Sequence, residues 1–150
     1  MKTLFFRGAM RLSMAMLVVM PTVCLAAGQT QQAQDVTGTR ALLANPRVGD
    51  LYAAELTAFS GVNFNAGDEG QEQMNAAYGL LKVIKVDHDT VTVITEMSAW
   101  PNPQGARNDL RGDLQDITWD QDEEIPLYRA ELPSFHNDGK IVEARRLSSH

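Results

Sequence analysis

AYGLLKVIKVDHDTVTVITEM, residues 77–97, reads as two β-strands around a tight turn. Within it, His88 and Asp89 tolerate positive φ better than most residues, as a two-residue hairpin loop requires. With that pair as the loop, Val86 lies opposite Val91, Ile84 opposite Val93, Lys82 opposite Thr95 and Leu80 opposite Met97. This is an apolar face interrupted by the Lys82–Thr95 pair. The other face pairs Lys85 with Thr92, Val83 with Ile94 and Leu81 with Glu96. Its rim is polar, yet Leu81, Val83 and Ile94 form an apolar trio that a solvated face would not carry uncovered. Either the chain's own loop, helix or barrel closure covers the trio, or a partner does. Internal cover is the expectation for a small sheet closed on itself.

Working outward, VGDLYAAELTAF (48–59) gives a Gly49-Asp50 turn and a first strand from Leu51 to Phe59. Ser60 to Asn75 is polar, contains three glycines and is long for a hairpin loop. Upstream, TRALLANP forms a short helical turn that Asn45-Pro46 stops. Downstream, Pro101, Pro103 and Gly105 mark turns. Leu110, Leu114 and Ile117 recur at helical spacing and place a short helix near Asn108, although Gly112 weakens it. DITWD reads as a further strand. EEIPLYRAEL reads as an edge strand, because Pro126 cannot donate to a central ladder. An Asp138-Gly139 turn then leads into a last strand. The sum is a mainly β domain over residues 48–150, with five or so short strands and one or two short helices. It is either a small, strongly bent antiparallel sheet or a partly open barrel.

The first 26 residues read as a secretory signal peptide. Lys2, Arg7 and Arg11 are basic, Leu12 to Met20 is apolar, and small residues follow Pro21. The apolar run is shorter than the roughly 20 residues that span a bilayer, so no stable membrane insertion is expected once the signal is removed. Cleavage fits after Ala26, with Ala27 as the alternative. Cys24, the chain's one cysteine, then leaves with the signal unless it is a lipid attachment site. Residues 27–47, Gln-rich at their start, are expected to be a flexible tether. A periplasmic or secreted bacterial protein follows.

Loss of the signal takes the net charge from −6 to −9. Such a balance argues against nucleic acid and anionic membranes, and it would speed encounter with a basic protein partner. Three histidines, two in turns and one terminal, give no convergent ligand set, and DQDEE lacks the pattern of a calcium loop. No metal and no cofactor are expected. No nucleophile elbow or phosphate loop is present, so no catalytic residue is assigned. Arg111 to Asp113 spells Arg-Gly-Asp, read as chance. Trp100 in WPNP is an aromatic in a proline-stiffened loop: a binding anchor, or a cap on the barrel mouth.

Gly49, Asp50, Tyr52 and Ala53, followed by Tyr78, Gly79 and Val83, resemble a pattern found in small SH3-like barrel proteins, some of them immunity proteins of bacterial toxin systems. The resemblance covers Val48 to Val93. It implies an SH3-like barrel and a non-enzymatic, immunity-type inhibitor of a periplasmic toxin. Here the loop between the strands is longer, and the chain is exported. On that reading Trp100, Leu81, Val83 and Ile94 are anchors, and Asp68 and Glu69 form an acidic rim. The alternatives are an envelope-associated structural domain without a dedicated ligand and a small hydrolase of envelope polymers. The hydrolase requires two carboxylates converging in a cleft with shifted acidities.

Overall fold

A computed structural model of the chain describes residues 38–61, 64 and 75–147. The segment read as a signal peptide, the expected tether up to residue 37, Asp68 and Glu69 lie outside the described residues. Five strands form one antiparallel sheet: β1 (Leu51–Glu55), β2 (Tyr78–Val86), β3 (Thr90–Thr95), β4 (Ile125–Tyr128) and β5 (Ile141–Arg145). Their spatial order is β4-β3-β2-β1-β5. β4 and β5 are the two edges, so among the described residues the sheet is not closed. β4 is an edge strand that carries Pro126, as the sequence requires.

The hairpin forms where expected: the Asp87 N–H donates to the Thr90 carbonyl at 2.8 Å across His88 and Asp89. Val86–Val91 and Lys85–Thr92 pair as read, but a bulge at Ile84 then shifts the ladder. Beyond it Val83 faces Val93, Lys82 faces Ile94 and Leu81 faces Thr95. One extra residue flips every side chain that follows. The Val83–Ile94 and Leu81–Glu96 pairs are therefore corrected. Leu81 and Val83 share a face with Val91 and Val93, and Ile94 lies on the opposite face beside Lys82.

Each face has its own cover. On one, Tyr52, Leu81, Val83, Val93 and Leu127 are buried against Leu43, Leu56 and Leu132. Leu43 comes from α1, the helical residues 38–44, and Leu132 from α3 (Leu132–Asn137). Phe135 of α3 meets Phe59 edge to face, ring centroids 5.1 Å apart. The Thr39 hydroxyl accepts the Ala144 N–H at 3.0 Å and holds α1 to β5.

α2 (Pro103–Arg111) covers the second face over β1, β2 and β5. Asn102 caps it by accepting the Gly105 N–H at 3.1 Å, and Pro103 supplies a preformed first turn. Its buried Ala106 and Leu110 pack on Leu51, Ala53 and Leu80. Burial of Leu110 alone contributes roughly 2 kcal/mol. Arg111 grips Glu143 of β5 through both carboxylate oxygens, at 3.0 to 3.2 Å, and ties the helix to the sheet edge. β1 ends at Glu55 rather than Phe59, because Leu56–Ala58 close into a 3-10 turn. DITWD contributes a single bridge, Trp119 opposite Glu96, in place of a strand.

A candidate binding cleft

α2 stops at Arg111, and beyond its end the second face of the sheet is left open. The result is a cleft of about 710 Å³. Leu51 and Lys82, paired across β1 and β2, lie on this face. Three loops complete the lining: residues 47–49 before β1, 112–115 after α2, and Arg146 and Leu147 after β5, together with Trp119. Val48 and Leu147 are exposed at 64% and 46%, giving the cleft apolar lips.

The loop before β1 is held from below. Gly49 sits at φ 91°, a conformation that disfavours any side chain. Asp50, fully buried, accepts the Arg47 N–H at 2.9 Å. It also accepts Arg146 through Nε at 2.6 Å and Nη2 at 2.7 Å. The Arg146 Nη2 donates in addition to the Asn45 carbonyl at 2.8 Å. One buried carboxylate thus fixes the loop to the end of β5 and absorbs the charge of Arg146. Near this pair the Tyr52 hydroxyl is buried without a hydrogen-bond partner among the described residues. Burial, reinforced by the charge of Asp50, holds it strongly protonated.

Lys82 is the unusual member. It stands on β2, inside the sheet, and no carboxylate among the described residues pairs with it. Its ammonium lies 5.4 Å from the centroid of the Trp119 ring, a cation–π arrangement. The Arg47 guanidinium likewise has no partner among the described residues. Asp113 is the acid in the lining, and its Oδ1 accepts the Gln115 N–H at 3.0 Å.

The residues expected as anchors sit elsewhere. Leu81 and Val83 are fully buried and Ile94 is 2% exposed, so the fold itself covers all three. Trp100 is 43% exposed and pairs with Tyr78 at the opposite end of β2. Its indole N–H donates to the Asp109 carboxylate. The ring lies on Gly105 so closely that a Cβ there would come within 2.2 Å of it. Glu96 is 2% exposed, and its Oε2 accepts the Leu80 N–H at 2.9 Å. Burial, with a smaller push from Asp109, raises its carboxyl to about 7, against the Leu80 hydrogen bond. A raised pKa suits a general acid, but this carboxylate is tied into the strand pairing.

Arg47, Lys82, Trp119 and Arg146 were not singled out from the sequence. The signal available was Lys82, the charge that interrupts an otherwise apolar hairpin face. No protein-family model, curated protein or solved structure matches this chain. The residues that carry the SH3-like resemblance are framework here: Gly49 and Asp50 form the loop, and Tyr52, Ala53 and Val83 are core.

Proposed function

We propose that this chain is an exported, non-enzymatic binding protein and that the cleft seats its ligand. The observation that carries the reading is Lys82. A half-buried cation on an inner strand contributes less to folding than an apolar residue of the same length would. Positions where a sequence breaks its own pattern in a concave surface are where function is expected. Export is supported by the basic start and apolar run of residues 2–20. The test is a titration of the ¹⁵N-labelled chain, residues 27–150, with a protein-free bacterial periplasmic extract. The reading expects saturable shifts clustered on Val48, Lys82, Leu114 and Trp119. Shifts confined to other surfaces, or none, would refute it.

A second reading is favoured by the other end of the second face. Met97 and Trp100 are 63% and 43% exposed there, and Asp109 and Gly105 hold the indole in place. A preorganised tryptophan beside an exposed methionine suits a protein partner. The resemblance to immunity proteins gives that partner a class, a basic toxin domain drawn by the acidic net charge. A pull-down with wild type and Trp100→Ala tests it. Capture of one stoichiometric basic protein, lost in a folded variant, supports this reading, and equal capture by both removes Trp100 from it.

A further inference from the structure

We propose that the cleft takes a small amphiphile: one anionic head group, carboxylate or phosphate, on an acyl or aryl body. The inference rests on the cleft being the ligand seat. Three cations and one acid line it: Arg47, Lys82, Arg146 and Asp113. Arg146 is already neutralised by the buried Asp50, with two contacts of 2.6 and 2.7 Å. That leaves Arg47 and Lys82 against Asp113, an excess of one positive charge in a chain whose net charge is −6. A single negative charge on the ligand completes the balance. A cation would meet that excess of positive charge instead.

The head group has chemistry waiting for it. The Arg47 guanidinium offers a planar fork that matches a carboxylate or phosphate, and its backbone N–H is fixed to Asp50 at 2.9 Å. Lys82 holds its ammonium over Trp119 rather than against an acid, so an arriving anion displaces no ion pair. The rest of the lining calls for an apolar body. Trp119 offers a ring face, and Leu51, Leu114 and Leu147 offer aliphatic surface. At about 710 Å³ the space is within the range, roughly 300–1,000 Å³, that seats small molecules.

The experiment titrates residues 27–150 with octanoate, octyl phosphate, octanol and octyltrimethylammonium, each below its micelle concentration. The Trp119 indole N–H resonance is the reporter, assigned by its loss in Trp119→Phe. Octanoate or octyl phosphate is expected to bind at least about tenfold more tightly than octanol, the worth of one partly buried ion pair. Whichever anion binds better names the head group. Lys82→Met keeps the stem over the ring and should erase the preference for the anion while octanol still binds. If that variant does not fold, Arg47→Gln, on an exposed loop, should reduce the same ratio. Equal binding of octanol, or preference for the ammonium, overturns the anionic head while leaving the cleft as the ligand seat. Failure of all four probes overturns the amphiphile, and the extract titration then judges the cleft separately.

Discussion

Replacing Glu96 by glutamine separates the two things its carboxylate does in this fold. Its Oε2 accepts the Leu80 N–H at 2.9 Å, a bond that a glutamine carbonyl oxygen can keep. It also ionises in a site where it is 2% exposed, which glutamine cannot do. Burial raises its pKa from 4.5 to about 7. The folded state therefore holds this proton over a window, from about pH 4.5 to 7, in which the unfolded chain has already released it. Stability falls as pH rises through that window, and the cost is complete above it. A shift of this size corresponds to about 3 kcal/mol. Wild type and Glu96→Gln should be compared by urea denaturation from pH 5 to 8.5. Other titrating groups contribute to both proteins and cancel in the difference. Glutamine should gain about 3 kcal/mol relative to wild type between the acid and alkaline ends, on the order of 10 °C in melting midpoint. Parallel pH profiles would refute the reasoning, because Glu96 would then ionise as freely in the fold as in the unfolded chain.

Three further substitutions test the packing. Gly105→Ala places a Cβ within 2.2 Å of the Trp100 ring and should cost about 1–3 kcal/mol in chemical denaturation, with altered tryptophan fluorescence as the ring is displaced. Asp50→Asn removes the charge that pairs Arg146 and should cost about 3 kcal/mol; a loss below about 1 kcal/mol would show that the arginine finds water instead. Tyr52→Phe deletes a buried hydroxyl that has no partner among the described residues, so its stability should be unchanged or slightly raised by the same assay.

How much of the fold was legible depends on whether local chemistry decides it. Asp87 to Thr90 closes a tight hairpin because the turn residues suffice, and Pro126 marks an edge by lacking a donor. The open sheet, by contrast, is decided by which strands meet. The register of β2 was misread for a related reason. Leu80-Leu81 and Val83-Ile84 put apolar residues side by side, so strict alternation does not say which member of each pair faces which layer. Because β2 pairs with both β1 and β3, the bulge at Ile84 reconciles two ladders, a tertiary constraint absent from the strand's own pattern. α3 was missed because Leu132 is its single buried residue, and six residues are too few to show a helical period.

The cleft was illegible for a different reason, and that reason bears on function. Its lining comes from residues 47–49, 51, 82, 112–115, 119 and 146–147, segments far apart in sequence that meet only once β1 stands between β2 and β5. Net charge does not report this spot, since a chain of −6 gathers Arg47, Lys82 and Arg146 at one end of its sheet. The residues that stood out by pattern, Leu81 and Val83, proved to be core, which is what an apolar pattern reports. Lys82 stood out by breaking the pattern. The bulge that turns Leu81 and Val83 toward one layer also turns Lys82 toward the other, where α2 has ended and Trp119 stands beside it. Removing the bulge would carry Lys82 to the buried face and leave the cleft only the cations of its loops, Arg47 and Arg146. The register of one hairpin thus sets both what the core contains and which residues line the cleft.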